Sequence, residues 1–281
     1  MNNSMINSEK ESKFINYYTT IFPYKEIFKT INISKKKELA FGLQGTTFMR
    51  YETFDTPDEF YNRIKTVNPY RIDVGATYKE RPKKTTKNEF VGKELVFDID
   101  LTDYDRKCCT DKNVCEKCYE LIKCTIEIFD YVLKEEFGFK SYGFVFSGRR
   151  GVHCWVFGYD ELDTETRSGI FRFFNSYLTV PGKKLKAEYK NIIKKYTNSS
   201  EEDLIKWFPR IDKQVTVKTN HLIKMPFSVH PETMKVSIPL DPENIKEYRN
   251  LPSVDDFLSG EANIKEYVNI MERWINEEQD E

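Results

Sequence analysis

Two aspartates on one predicted strand are the residues best placed to do chemistry. Residues 94–101 read Glu-Leu-Val-Phe-Asp-Ile-Asp-Leu, a β-rich run whose side chains would alternate between two faces. Asp98 and Asp100 then share a face, where like charges raise each other's pKa unless a cation lies between them. A divalent metal would serve, although a solvent-facing acidic edge strand is the better explanation of an isolated Asp-x-Asp. Neighbouring motifs must decide between the two.

A short loop after this strand carries four cysteines. In a reducing compartment such a cluster favours metal over disulfides, and four thiolates are the usual ligand set of a structural, tetrahedral zinc site. Four incidental thiols are the alternative, but nothing would then explain their clustering. The sequence therefore predicts a zinc module at about residues 103–121. Its ligands would be Cys108, Cys109, Cys115 and Cys118.

A glycine-bounded turn between two β-rich runs carries groups suited to phosphate. The turn reads Ser-Gly-Arg-Arg-Gly over residues 147–151, and we predict a β-hairpin with this turn at its tip. Arginine binds phosphate oxygens bidentately, although two arginines in a turn are more often a solvated tip. The candidate phosphate-binding residues are Ser147, Arg149, Arg150 and His153.

Further candidates lie late in the chain. Asp212 follows Pro-Arg-Ile, and Lys224 and His230 flank the run Met-Pro-Phe-Ser-Val. The three histidines of the chain all lie in this segment or in the hairpin, which favours a shared functional site. His221 taken alone is better explained as structural.

Composition excludes several classes of protein. The 281 residues include 44 basic and 45 acidic side chains, so bulk charge does not indicate a nucleic-acid partner, and any such surface must be local. With 39% hydrophobic residues and no apolar run of membrane-spanning length, the chain is typical of a globular protein. The polar residues 1–12 do not resemble a signal peptide. We expect an intracellular protein.

The remaining segments give the scaffold. Helical periodicity predicts a first helix ending at Pro23, and a hairpin with Gly42 and Gly45 near its turn would carry Arg50, a residue that is usually just solvated. Thr56 and the proline after it predict a helix N-terminus. Another helix should run from the last zinc cysteine to Gly138.

The predicted division of the chain has four parts. Residues 1–160 and 207–255 would form the core, residues 161–206 a small helical subdomain, and residues 256–281 a C-terminal helix with an acidic tail. The subdomain is rich in lysine, and its basic face would either be solvated or contact a nucleic-acid backbone. The lysines of this face are Lys183, Lys184, Lys186, Lys190, Lys194 and Lys195.

Together these motifs closely resemble the catalytic small subunit of archaeal and eukaryotic DNA primase, within the archaeo-eukaryotic primase superfamily. The resemblance runs from the first helix to about Asp241, except over residues 161–206. It implies an α+β primase fold with mixed sheets and an RRM-like half, plus a zinc module and the small helical insertion.

The resemblance also implies roles for the candidate residues. Asp98, Asp100 and Asp212 would bind two Mg²⁺ or Mn²⁺ ions, which activate the primer hydroxyl and stabilise the leaving pyrophosphate. The cysteines would bind a structural Zn²⁺. The residues that would bind the nucleotide are Arg50, Ser147, Arg149, Arg150, His153, Lys224 and His230.

The function implied is synthesis of short RNA primers from NTPs on single-stranded DNA. Implied partners are an iron-sulfur-containing primase large subunit and, in eukaryotes, the replicative polymerase complex, which would place the chain in the nucleus. Two alternatives stay open. A primase-polymerase that prefers dNTPs would more often carry Asp-x-Glu, and a non-catalytic zinc-containing nucleic-acid-binding module would not need three acids near phosphates.

Overall fold

The computed structural model describes residues 3–44, 47–85, 87–110 and 112–276, with side chains from residue 8 onward. The chain is an α+β protein built on two sheets. The helices are α1 (Asn3–Thr20), α2 (Tyr24–Thr30), α3 (Pro57–Val67), α4 (Glu116–Tyr131), α5 (Thr164–Thr179), α6 (Ala187–Ile193), α7 (Lys213–Val217), α8 (Val254–Ser259) and α9 (Ile264–Asn276). The strands are β1 (Lys37–Gly42), β2 (Phe48–Glu52), β3 (Arg71–Tyr78), β4 (Phe90–Gly92), β5 (Leu95–Asp100), β6 (Tyr142–Phe146), β7 (Gly151–Val156), β8 (Ile223–Lys224) and β9 (Pro239–Leu240).

The first sheet, here called the N-terminal sheet, has the order β2-β1-β3-β4, and β8 also pairs with β3. This added strand comes from far along the chain and sets Lys224 opposite Asp73. The predicted hairpin of β1 and β2 is confirmed, while Gly45 lies outside the described residues. The sheet therefore joins the two ends of the predicted core.

The second sheet, here called the central sheet, has the order β5-β7-β6-β9. Strands β6 and β7 form the predicted hairpin, and β7 pairs with β5 in a register that sets Asp98 opposite His153 and Asp100 opposite Gly151. The hairpin tip therefore lies directly beside the end of β5.

Every strand pairing in the described ranges is antiparallel, whereas mixed sheets were expected. Connectivity explains the β1–β2 and β6–β7 pairings, because these strands are joined by short turns, which can link only antiparallel neighbours. The α+β class itself is confirmed.

Aromatic packing beneath β5 holds the helices against the central sheet. The Phe97 ring lies 5.1 Å from that of Phe129 on α4 and 5.8 Å from that of Phe174 on α5. Because β5 points its apolar residues at these helices, its aspartates must face the other side. The division of the chain at residues 160 and 207 stays a prediction. Helix α5, which belongs to the predicted subdomain, packs through Phe174 against the central sheet.

Local signals for helix ends were accurate. The Thr56 side chain accepts a hydrogen bond from the backbone N–H of Glu59 at 3.2 Å, with proline at the first helical position of α3. After α4, a π-helical turn over Val132–Glu136 leads to Gly138, whose φ of +68° ends the helix as predicted. The acidic tail lies outside the described residues, within which no helix could cross a membrane.

Candidate active site

Three carboxylates converge at the end of β5. Asp98 and Asp100 lie on one face of the strand and remain partly exposed. The backbone N–H of Asp212 donates to the Asp98 carbonyl at 2.9 Å, which brings the third acid beside the first two. The Asp212 carboxylate also caps α7, accepting from the backbone N–H of Gln214 at 2.5 Å. A backbone bond and a helix cap thus fix the position of the third acid.

Electrostatics at this cluster favour a cation. Burial is the largest cause that raises the pKa of Asp98 to about 7, and the neighbouring Asp100 and Asp212 carboxylates add to it, while Lys224 opposes it. Converging carboxylates of this kind gain most from a bound cation, and their hard oxygen ligands suit Mg²⁺ or Mn²⁺. The chemistry of these three donors therefore suits a divalent metal, although among the described residues only the four cysteines already have their ligand atoms grouped around one point.

Arg150 supplies a countercharge at the edge of the cluster. Its Nε donates to both carboxylate oxygens of Asp100, at 2.7 and 2.9 Å. Asp100 also accepts from the backbone N–H and the hydroxyl of Thr102, each at 2.8 Å. Arg150 thus links the hairpin tip to the acidic cluster of Asp98, Asp100 and Asp212.

The hairpin tip is pressed against β5 by the geometry of its glycines. A Cβ at Gly151 would lie 2.4 Å from the Ile99 carbonyl oxygen, so only glycine permits this approach. Ser147 closes the turn, because its Oγ accepts from the backbone N–H of Gly151 at 3.0 Å. Lys224 Nζ donates to the Ser147 carbonyl at 2.7 Å. The structure therefore brings the predicted tip residues together with Lys224.

Lys224 and His230 are held by a strained segment of chain between them. Phe227 has a φ of +65°, an uncommon conformation for a bulky residue, and its carbonyl accepts from the Tyr17 hydroxyl at 2.9 Å. Its backbone N–H donates to the Ser237 carbonyl at 2.6 Å. Strain of this kind persists only where the surroundings impose it, and it concentrates at functional sites.

The basic side chains behind the hairpin, two histidines and a lysine, are buried, and burial disfavours their protonated forms. Burial, then the charge of Lys224, lowers the pKa of His153 to about 3, and the same two causes lower that of His230 to about 3. Burial, then Arg71, lowers the pKa of Lys224 to about 7. His153 Nε2 lies 3.6 Å from Asp98 Oδ1, and within the described ranges its Nδ1 has no hydrogen-bond partner. Burial here disfavours an unpaired charge of either sign, and the repulsion of Lys224 by the neighbouring arginine is the part that an anion would relieve.

Two residues of this pocket were not singled out from the sequence. Arg71 Nε donates to Asp73 Oδ1 at 2.6 Å, and Asp73 is the strand partner of Lys224. Period-two alternation places both on one face of β3, and this charged pair on one strand face was the signal in the sequence that could have identified them. Their relation to Lys224 depends on the β3–β8 pairing, which no local pattern reveals.

Arg50 lies farther out on the N-terminal sheet. Its guanidinium donates to both Glu38 oxygens, at 2.8 and 3.1 Å, and lies 5.2 Å from the centroid of the Tyr51 ring. The carboxylate of Glu38, with the Tyr78 hydroxyl 3.3 Å away, therefore holds Arg50 within its own sheet.

The four predicted zinc cysteines form a compact cluster. Their Sγ atoms all lie within 4.8 Å of one another, and Cys115 is the residue that caps α4. Cys118 Sγ accepts from the Cys115 backbone N–H at 3.2 Å, while Cys124 lies buried in the helix outside the cluster. The cluster can hold one metal ion, and four sulfur ligands suit zinc.

Four of the six lysines on the face of residues 183–195 form ion pairs, with three acids. Lys186 pairs with Glu136, Lys195 with Glu127, and both Lys190 and Lys194 with Glu201. Of the two interpretations of this face, the solvated one accords better with these pairs.

Comparison with known proteins agrees with these motifs. The family model of the DNA primase small subunit matches residues 97–242, just over half of the chain. The DNA primase small subunit of Saccharomyces cerevisiae is 28% identical over 86% of this chain and 84% of its own length. That of Caenorhabditis elegans is 27% identical over 83% and 82%, and the archaeal PriS of Pyrobaculum arsenaticum is 25% identical over 75% and 73%.

A solved structure supports the fold. The polymerase domain of Mycobacterium tuberculosis Ligase D, in complex with DNA, covers 94% of this chain with a TM-score of 0.50 and 11% identity, and 88% of that domain is matched. The shared architecture extends over nearly the whole chain. The family match includes both aspartates of β5, the cysteine cluster, the hairpin and Asp212, and the chain belongs to the DNA primase small subunit family, the catalytic, nucleotidyl-transferring subunits of DNA primase.

Proposed function

We propose that this catalytic subunit makes short RNA primers de novo on single-stranded DNA, using Asp98, Asp100 and Asp212 as metal ligands. The observation that carries the proposal is the hydrogen bond from the Asp212 backbone N–H to the Asp98 carbonyl at 2.9 Å. This bond supports the proposal because it holds a residue from far along the chain beside Asp98 on β5.

The metal site is proposed to hold two Mg²⁺ or Mn²⁺ ions. When bound, such ions neutralise charge on the attacking and leaving oxygens of the transferring phosphate. The protein's part is positioning. The cap by Asp212 fixes one ligand at the N-terminus of α7, and the β5–β7 register fixes the other two beside the hairpin.

The hairpin and the segment around Lys224 are proposed to bind the incoming triphosphate. Arg149 and Arg150 offer guanidinium groups that match phosphate oxygens, and Lys224 lies buried behind the tip. A neutral His230 or His153 can still donate one N–H. Ser147 would shape the tip, and Arg50 would act from the N-terminal sheet once released from Glu38.

Other parts of the proposal concern metal identity, assembly and location. The cysteine cluster is proposed to bind Zn²⁺ as a structural ion. The small-subunit family implies a primase large subunit as partner, and we propose that this partner carries an iron-sulfur cluster. In a eukaryotic cell the heterodimer would join the replicative polymerase complex in the nucleus.

The test is a primer-synthesis assay on a single-stranded homopolymer of dT. We expect ATP with Mg²⁺ or Mn²⁺ to give short RNA products without a primer, and dATP to give far less. Products mainly from dATP would favour the primase-polymerase alternative. Template binding with no incorporation of either nucleotide would favour the non-catalytic alternative.

A further inference from the structure

One of the two arginines at the hairpin tip forms an ion pair with a glutamate. Arg149 Nη1 forms an ion pair with a Glu232 carboxylate oxygen, just as Arg150 pairs with Asp100. The two acids differ, because Asp100 is a candidate metal ligand whereas Glu232 is not part of the acidic cluster. Glu232 therefore requires a separate explanation.

The loop that carries Glu232 is fastened to the hairpin. Thr233 Oγ1 donates to the Gly148 carbonyl at 2.6 Å, and the Glu232 backbone N–H donates to His230 Nδ1 at 3.3 Å. A Cβ at Gly148 would lie 2.8 Å from that of His230. The loop thus packs against the tip, so the position of Glu232 beside Arg149 follows from the fold.

Arg149 lies within the electrostatic reach of the proposed triphosphate pocket. Its charge contributes to the lowered pKa of both Lys224 and His230, so these groups can act on the same anion. Its side chain is 16% exposed, whereas that of Glu232 is 59% exposed. The Glu232 carboxylate is therefore the more solvent-exposed partner of this ion pair.

We propose that Glu232 is a displaceable counter-ion for Arg149 and weakens nucleotide binding by competing with the triphosphate. An exposed carboxylate holds an arginine only weakly. A triphosphate carries more charge and several oxygens for bidentate contact, so it can replace Glu232. This inference rests on the proposed function of the hairpin as the triphosphate site.

The test is equilibrium binding of ATP together with the ATP KM for Glu232→Gln. We expect both Kd and KM to fall by roughly two- to fivefold, the range that an exposed ion pair supports, with kcat close to wild type. The gain should shrink at high salt, because screening weakens exposed charges. It should vanish in an Arg149→Ala background. Glu202→Gln, at an exposed residue outside the hairpin, is the matched control.

Three results would overturn the inference. These are an unchanged Kd for Glu232→Gln, a raised Kd, which would make Glu232 an organiser of Arg149, or the same gain without Arg149. Melting temperatures of each variant show whether folding is intact. Lys224→Ala separates this inference from the proposed function. If Lys224→Ala leaves ATP affinity unchanged, the triphosphate site itself is misplaced. If it weakens ATP while Glu232→Gln has no effect, only the inference about Glu232 fails.

Discussion

The acidic cluster and the cysteine cluster are both candidate metal sites, but they are built in different ways. The cysteines come from one loop and the first turn of α4, and their sulfur atoms already lie within 4.8 Å of one another. The acids come from β5 and from the distant residue Asp212, and they lie beside arginine, lysine and histidine side chains. One site is local and closed, whereas the other is assembled by the whole fold.

This difference separates stability from catalysis. Four thiolates around one ion tie a loop to a helix, so that the free energy of metal binding becomes free energy of folding. Converging carboxylates repel one another, and the raised pKa of Asp98 reflects that repulsion along with burial. The acidic cluster therefore opposes folding in the absence of metal. Losing the acidic cluster should lower activity, whereas losing the cysteine cluster should lower the stability of the fold.

The largest expected effect is at the acidic cluster. Replacing Asp98, Asp100 or Asp212 by asparagine should lower nucleotide incorporation by roughly a thousandfold or more, because charge stabilisation in the transition state is lost. The melting temperature in EDTA should hold or rise for Asp98→Asn, since a repelling charge is removed there, and should fall slightly for Asp100→Asn, which also loses the ion pair with Arg150. Primer synthesis and thermal unfolding of the same preparations check both parts.

Asp105→Asn is the matched control for these variants, because Asp105 is exposed on the loop that follows β5. It should leave incorporation close to wild type. Incorporation near the wild-type rate by any one of the three cluster variants would remove that residue from the proposed metal site.

The second effect is at the cysteine cluster, where we expect a loss of stability rather than a change in the metal dependence of catalysis. Cys118→Ser should lower the melting temperature by about 10 °C or more, since structural metal sites contribute directly to folding. The metal dependence of the remaining activity should stay that of wild type. Metal analysis should find one zinc per chain in the wild type and much less in the variant.

Cys124→Ser is the control for metal content, because Cys124 lies on the same helix but outside the cluster. That variant should retain its zinc. Full stability of the wild type after complete removal of zinc would contradict a structural role.

What the sequence could predict follows the same division. The cysteine site, the hairpin tip and the Thr56 cap depend on residues close together in the chain, and each was predicted from local spacing. The proximity of Asp212 to Asp98 came from the family resemblance alone, because a backbone hydrogen bond between distant segments has no local pattern. Arg71 was missed for the same reason, since it meets Lys224 only through the β3–β8 pairing.

A third prediction concerns the proposed phosphate-binding residues, which belong to neither cluster and whose loss should have a smaller effect. Arg150→Ala, Lys224→Ala and His230→Ala should each raise the nucleotide KM by about ten- to a hundredfold, the loss of one hydrogen bond to a charged group. Dinucleotide synthesis should suffer more than primer extension, because initiation must align two nucleotides. Steady-state kinetics of both reactions provide the measurement.

Arg172→Ala is the control, because Arg172 is exposed on α5. A wild-type KM in all three variants with only kcat reduced would assign these residues to structure or to template contacts. Equal losses in initiation and extension would argue against the proposed alignment of two nucleotides.

The smallest expected effect is a pH dependence of ATP binding that comes from Lys224. Burial lowers its pKa from the usual 10.5 to about 7, so in the free protein the ammonium loses its proton as pH rises above about 7. ATP binds the protonated form better, and its affinity should fall between pH 7 and 9, by at most about tenfold per pH unit. The free energy of unfolding should instead rise with pH from about 7 to 10.5, because only the unfolded chain keeps that proton there.

Equilibrium titrations of ATP at several pH values check this, with Lys224→Ala as the comparison. ATP itself titrates equally in both experiments, so the difference between the two profiles reports Lys224 together with Asp98, whose pKa of about 7 depends on that lysine. The variant should bind more weakly at pH 7 and show a flatter profile. Parallel profiles would mean that Lys224 stays in one protonation state over this range, and the pH dependence would then belong to another group of the site.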